Sequence, residues 1–215
     1  MSPTTSEPQA HDRQKALTQY VKRAQVYDLE LMAFEPIRHS AIAQLKLEPG
    51  DAVLDLGCGT GLSFAPIQQA IGAQGRIVGV EQCAEMLDLA RARLTRHGWR
   101  NVTLLNAPVE DASLPGAADA ALFHFTHDIL RNPDAIRNVL AHLKPGARVV
   151  AAGLQWASPW AWTTNCFVAL AALHSVSSLN GLDQPWSLLA NELGGMEVSS
   201  TPWSGIYIAT GQVPQ

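Results

Sequence analysis

The chain has 215 residues, 47% of them apolar and 16% charged, which suits one domain with a full core and excludes a disordered or fibrous protein. A formal net charge of −4 excludes a general attraction for nucleic acid or anionic lipid. Cys58, Cys83 and Cys166 form no CxxC pair and have no matching histidine cluster, so neither a disulfide framework nor a zinc site is expected, and a reducing cytoplasm is the natural setting.

Residues 1–15 are polar and without periodicity, which predicts a disordered tail lacking the apolar run of a secretory signal. Tyr20 to Leu47 carries helical spacing through Val21, Val26, Leu29 and Met32 and then Ile37, Ile42 and Leu45. Pro36 divides it into two short helices, because proline cannot continue a helix interior.

After the turn Glu48-Pro49-Gly50 the pattern alternates. Ala52–Leu56 reads as a strand, Leu62–Ile71 as a helix closed by Gly72, Arg76–Val80 as a strand and Ala84–Arg96 as a helix. Val102–Leu105 and Ala118–Phe123 are further strands. Asn132-Pro133 caps a helix whose Ile136, Val139, Leu140 and Leu143 share one face. Lys144-Pro145-Gly146 turns the chain into a fifth strand, Arg148–Ala152. This alternation predicts an α/β fold: a doubly wound, Rossmann-like, mostly parallel sheet with helices on both faces.

The C-terminal part differs. Trp156-Ala157-Ser158-Pro159-Trp160-Ala161-Trp162 leads into an apolar helix over Thr163–Ser175, and Glu197–Thr201 with Gly205–Ala209 reads as a hairpin. The longest apolar run, Cys166–Leu173, is too short for a membrane span of ~20 residues, so no stable membrane insertion is expected. One domain over 16–215 follows: cap helices (16–47), a cofactor-binding core (50–153), acceptor or lid helices (154–195) and a closing hairpin (196–211).

The chemistry concentrates in Val53-Leu54-Asp55-Leu56-Gly57-Cys58-Gly59-Thr60-Gly61, between the first strand and the first helix of the core. Glycines there let the backbone turn sharply and approach a ligand closely. Glu81 ends the second strand, where a carboxylate can accept both hydroxyls of a ribose. The plainer alternative is a tight turn with Glu81 capping the next helix. A dinucleotide fingerprint needs glycine where Leu62 stands, and a phosphate-cradling loop needs Lys before Ser or Thr where Leu62-Ser63 stands. A ligand with a ribose but no phosphate demand remains.

Asp55-Leu56-Gly57-Cys58-Gly59-Thr60-Gly61, Gly79-Val80-Glu81 and Leu143-Lys144-Pro145-Gly146 together resemble the class I S-adenosylmethionine-dependent methyltransferases over about residues 50–153 and the closing hairpin. The resemblance implies a seven-stranded sheet whose last strand is antiparallel. It implies S-adenosyl-L-methionine as cofactor, with Gly57, Cys58, Gly59 and Gly61 under its methionine part, Asp55 near its amino group and Glu81 on its ribose. Asn106-Ala107 would meet the adenine, with Asn106 where the family more often has aspartate. Gln82, Met86, Pro108 and His124, and Tyr20 and Tyr27 from the N-terminal helices, complete the cofactor set by the same resemblance.

His124-Phe125-Thr126-His127-Asp128 follows the fourth strand, the position that faces the transferring methyl in this fold. His124, His127 and Asp128 are the candidate catalytic residues, any of them able to take a proton from an acceptor hydroxyl. The alternatives are packing for His124 and helix capping for Asp128. Neither an Asn/Asp-Pro-Pro-Tyr motif nor the Arg-Asn pair of the quinone C-methyltransferases occurs, and no metal is expected.

Five of six tryptophans lie after residue 150, whereas all fifteen Lys and Arg residues lie at or before Arg148. Without cations this region cannot neutralise phosphates, which excludes nucleic acid as acceptor. Trp156 and Trp160 are the candidate acceptor-binding residues, holding a small apolar molecule or, by cation–π contact, an amine. The alternative is plain core packing. A monomer or homodimer is expected. Methyl transfer to a small-molecule acceptor is the leading reading; a non-catalytic binder of the same cofactor, a partner subunit and a nicotinamide oxidoreductase are its rivals.

Overall fold

Strands and helices alternate as expected in the computed structural model, which describes residues 34–175, 179–200 and 203–215. The chain runs α1 (Glu35–Gln44), β1 (Ala52–Leu56), α2 (Phe64–Ile71), β2 (Arg76–Glu81), α3 (Ala84–His97), β3 (Val102–Asn106) and β4 (Ala118–His124). It continues through α4 (His127–Leu130), α5 (Pro133–Ala141), β5 (Leu143–Leu154), α6 (Trp162–Ser175), α7 (Ser187–Leu193), β6 (Glu197–Ser199) and β7 (Ile206–Gln212).

The seven strands form one sheet in the order β3-β2-β1-β4-β5-β7-β6, with β7 antiparallel to both its neighbours. All five residues of β1 are buried, the signature of a parallel strand covered on both faces. One face carries α1, α2 and α3, through Ala41, Ile42, Phe64, Ile67 and Leu87 against Val53 and Leu122. The other carries α5 and α7, through Ile136, Val139 and Leu189 against Leu54, Phe123 and Val149. The strand order reverses between β1 and β4, which opens a ligand crevice beyond their C-terminal ends.

Local chemistry explains the element ends. Pro36 sits in the first turn of α1, where a missing N–H leaves no intrahelical bond unmade. The helical stretch expected before it lies outside the described residues. The Asn132 side chain caps α5 by accepting from the Asp134 and Ala135 amides.

Three boundaries differ from expectation, the first being that Leu143, expected on the helix face with Ile136 and Val139, begins β5 because the helix ends at Ala141. Lys144-Pro145-Gly146 is not a turn before a strand but a bulge within β5. The register passes from Ala118↔Leu143 to Ala120↔Arg148, and the extra residues loop out at Gly146, φ +76°. The freed backbone pairs instead with the end of the chain, Gly146 N–H to the Val213 carbonyl and Val213 N–H to the Ala147 carbonyl, both 2.9 Å. The helix expected from Leu62 starts at Phe64, because Gly61–Ser63 finish the glycine loop first.

Candidate functional site

Register places the pieces before side chains are considered. Leu56 lies opposite Val80 on β2 and Phe123 on β4, so the glycine loop leaves β1 level with Glu81 on one side and His124 on the other. Gly57 and Cys58 both donate to the Val80 carbonyl, at 2.8 and 3.0 Å, which folds the loop back over β2. Gly57, Gly59 and Gly61 have φ of +69, +54 and +77°, a region that side-chain-bearing residues adopt rarely. At Gly57 a Cβ would also stand 2.5 Å from Thr126 Cγ2, so the loop touches the segment after β4 directly.

On the β2–β3 side, Glu81 and Asn106 are register partners. Glu81 Oε2 accepts from Gly59 N–H at 3.1 Å and Oε1 from Cys83 N–H at 2.8 Å. Burial raises its carboxyl above the usual range, partly offset by the Cys83 and Gly59 amides. Asn106 donates from its amide to the Glu81 and Gln82 carbonyls, at 3.0 and 3.1 Å. Met86 is buried in the first turn of α3, Ala107 packs on the core beside it, and Pro108 leads into a short helical turn, Val109–Asp111. The structure thus links Gly59, Glu81, Gln82 and Asn106 in one hydrogen-bonded cluster. Tyr20 and Tyr27 lie outside the described residues.

On the β1–β4 side, Asp55 is 1% exposed and its Oδ2 has no partner. Burial raises its pKa to about 7, with the Arg38 guanidinium lowering it and Glu81 raising it further. Arg38 is 2% exposed and pairs with Glu35 on α1. It was not foreseen, although a signal existed: Arg38 heads the stripe Arg38, Ala41, Ile42, Leu45, so its position belongs to the buried face of the helix. His124 shares this side of the sheet. Burial and then Arg38 push its imidazole down to about 3, and its Nε2 is sealed without a partner.

Past β4 the backbone turns through Phe125 at φ +58°, a strained conformation for a bulky residue and one that clusters at functional sites. It is held by a bond from Phe125 N–H to the Ala152 carbonyl, 2.7 Å, and by packing of its ring on Phe34 and His124, centroids 4.9 and 4.8 Å apart. The turn aims Thr126 and His127 into a pocket at the ends of β4 and β5, bounded also by Phe125, Leu154, Leu182 and Tyr207. His127 Nε2 lies 3.0 Å from the Asn180 carbonyl, while its Nδ1 and Thr126 Oγ1 are buried without partners. Asp128 is half-buried in α4, and the helix cap expected of it falls to Asn132 at the next helix.

The tryptophans divide. Trp156 is half-buried against Leu154, Val168 and Leu182, and Trp186 packs on Tyr207 with centroids 4.6 Å apart. Trp160 is 53% exposed and meets Trp203 edge-on at 3.8 Å. Neither Trp156 nor Trp160 lines the pocket at Thr126 and His127. Among the described residues no group of three His, Cys, Asp or Glu side chains is placed to hold a metal, and no helix is long and apolar enough to cross a membrane.

The comparisons with known proteins agree with this geometry. Residues 53–146, the stretch from β1 into β5, match the family model of the methyltransferase domain. Aklanonic acid methyltransferase DauC of Streptomyces sp. (strain C5) is 31% identical over 126 residues, 57% of this chain and 56% of that one. A protein-L-isoaspartate O-methyltransferase of Methanococcoides burtonii is 32% identical over 114 residues, 52% of this chain and 54% of that one. The chain spans about half the length of the curated relatives it matches. Among solved structures, the S-adenosylmethionine-dependent methyltransferase SibL superposes with a TM-score of 0.64 at 18% identity, covering 89% of this chain and 59% of that one. The N-methyltransferase NodS of Bradyrhizobium japonicum WM9, in complex with S-adenosyl-L-homocysteine, does so at 0.59 and 14% identity, covering 85% and 88%. The fold is that of the Rossmann-like methyltransferases. Residues 53–146 carry the sequence pattern of a methyltransferase domain.

Proposed function

We propose that the chain transfers a methyl group from S-adenosyl-L-methionine to a small, largely apolar acceptor. The observation that carries the reading is the Glu81 carboxylate, fixed by the Gly59 and Cys83 amides at the lip of the glycine loop. Both its oxygens keep lone pairs for two neighbouring hydroxyls, the pattern a ribose offers.

The surrounding residues fit the rest of the cofactor. The buried, unpartnered Asp55 Oδ2 suits an ammonium and the buried Arg38 a carboxylate, the two charges of an amino-acid end. Asn106 Oδ1 suits the adenine amine, since the amide hydrogens are already engaged. When bound, the cofactor supplies a sulfonium methyl that is intrinsically electrophilic. The protein then has to align an acceptor with it and exclude water. The apolar wall of Phe125, Leu154 and Leu182 beyond β4 and β5 suits that task and an uncharged acceptor.

Calorimetric titration with S-adenosyl-L-homocysteine tests the reading. The native protein should bind it, and Glu81→Ala should weaken binding by about 1.5–3 kcal/mol, the scale of hydrogen bonds to a charged group. Unchanged affinity in the variant removes Glu81 from the ribose site.

A further inference from the structure

A surface helix ordinarily turns a charged or polar side to water. α6 does not: from Trp162 to Ser175 it contains no Asp, Glu, Lys or Arg. Its inner side is settled. Val168 is buried against Leu154 and Leu182, and the Asn165 side chain accepts from the Ala157 amide at 2.8 Å, tying the helix to the preceding turn. Helical spacing then sets Trp162, Cys166 and Leu170 in line on the opposite side, one turn apart, with Phe167 beside them. This side faces water: Trp162 is 69%, Phe167 55% and Leu170 62% exposed, and Cys166 is an exposed free thiol.

The apolar surface continues past the helix start. Trp160 and Trp203 are also exposed and meet edge-on. Gly205, just after Trp203, lies so near α6 that a Cβ there would run into Val168 Cγ2 and come within 3.2 Å of Thr164 Cγ2. At about 150–250 Å² for each aromatic side chain, the five large residues expose on the order of 600 Å². That is the upper end of the apolar patch a soluble monomer leaves open. Two such patches face to face would remove on the order of 1,200 Å² from water, the lower edge of a specific interface.

Charge selects the occupant. Helices that lie on a lipid surface carry Lys or Arg on their polar side, and no Lys or Arg follows Arg148. A second copy meets the uncharged stripe without like-charge repulsion. The stripe also has the symmetry that a two-fold contact needs. Cys166 is small and has a large side chain one turn to either side, so an antiparallel copy would set Cys166 against its own counterpart and Trp162 over the partner's Leu170. We propose that α6 is the centre of a two-fold homodimer, packed antiparallel on the same helix of a second copy, with Trp160 and Trp203 at the rim. Because Phe125 and Trp156 pack on the cluster that holds Val168, the pairing also braces the ends of β4 and β5.

Sedimentation equilibrium of the full chain at micromolar concentration should give twice the 23.1 kDa of one copy. A short bis-maleimide should join two copies through Cys166, since Cys58 and Cys83 are buried. Cys166→Ser should keep the dimer and lose the cross-link. Cys166→Glu should weaken association about a hundredfold or more, because two carboxylates would face each other across the axis. Trp162→Ala, which adds no charge and takes nothing from the core, should weaken it about tenfold or more. Thermal transitions confirm that the variants are folded. A monomer at every concentration, a dimer that survives Cys166→Glu, or a dimer that the bis-maleimide does not join through Cys166 overturns the proposal. Binding of the native chain to phosphatidylcholine vesicles, lost in Trp162→Ala, overturns it in favour of a lipid surface. The Glu81 site lies on other elements, so each of these outcomes is independent of the proposed function, which the S-adenosyl-L-homocysteine titration reads separately.

Discussion

At the β2–β3 end of the binding edge, both Glu81 oxygens and both Asn106 amide hydrogens already have backbone partners. At the β1–β4 end, Asp55, His124, Thr126 and His127 each keep a buried polar atom without one, and among the described residues these four are the only buried side-chain polar atoms so left. An unpaired buried polar group costs about 1–3 kcal/mol, so four gathered at two neighbouring strand ends are a concentrated debt of stability. The contrast separates two jobs. The first corner is shaped in advance, as the proposed ribose site requires. The second keeps its polar atoms unpartnered, and Phe125 at φ +58° adds backbone strain to it.

The largest expected effect breaks the preformed corner. Gly59→Val forces a β-branched residue into φ +54° and displaces the amide that fixes Glu81. Affinity for S-adenosyl-L-homocysteine should fall by about 3 kcal/mol or more, combining strain with a lost charge-assisted bond. Calorimetry on a variant shown to be folded by its thermal transition checks this. Retained binding would mean that the loop shape does not serve the ligand.

The next effect sharpens the unfinished corner. Asp55 has a folded pKa raised to about 7 from 3.8, so the folded state holds a proton that the unfolded chain releases. Its contribution to stability is complete below about pH 4 and is lost as pH rises to about 7. Asp55→Asn imitates the protonated side chain and removes that loss. Above pH 7 the ligand-free variant should be more stable than the native protein, by on the order of 2–4 kcal/mol, and near pH 4 the difference should vanish. Chemical unfolding at the two pH values measures it. Native affinity for S-adenosyl-L-homocysteine should rise over the same window, as the carboxylate forms to meet an ammonium, and level off above it. A pH-independent difference between native and variant would take Asp55 out of this role.

The same contrast explains what could be seen in the sequence. The glycine loop, Glu81 and Asn106 were legible because each sits at a strand end set by local pattern, and a parallel sheet converts that pattern directly into neighbours in space. The unfinished corner depends on tertiary placement. Arg38 arrives from a helix before the core, and Tyr207 from a strand more than eighty residues after His124, inserted between β5 and β6. Nothing local foretells either meeting. The bulge at Lys144-Pro145-Gly146 was hidden for a related reason. Pro-Gly signals a break in the ladder, but whether the chain turns or bulges depends on Val213, far along the chain. Among the tryptophans, local sequence could not separate Trp156, half-buried, from Trp160, on the surface.

Trp160 supplies the third prediction, smaller than the first two. Its ring is 53% exposed and rests on Trp203, itself 65% exposed. Trp160→Ala should cost less than about 1 kcal/mol of stability, because little of the ring leaves water on folding. S-Adenosyl-L-homocysteine affinity should be unchanged. If Trp160 serves the acceptor, methyl transfer should fall while cofactor affinity stays. A stability loss above about 2 kcal/mol would show instead that the Trp160–Trp203 pair holds the fold together.

The smallest expected effect is that of salt, and it bears on both corners at once. No Lys or Arg follows Arg148, so β7, α6 and α7 bring no cation to the acceptor side of the edge. The cation acting on Asp55 and His124, Arg38, is buried and already paired with Glu35, and His127 feels Arg131. Binding of a polyanion would require several exposed cations and would release counterions, weakening steeply as salt rises. Binding of a zwitterionic cofactor beside Asp55 and Glu81 involves no such release, and burial shields its contacts from screening. S-Adenosyl-L-homocysteine affinity should therefore change less than about twofold between 50 and 200 mM salt, whereas a protein making several phosphate contacts loses ~10³-fold or more. A steep salt dependence would show that a polyanion is the true occupant of the binding edge.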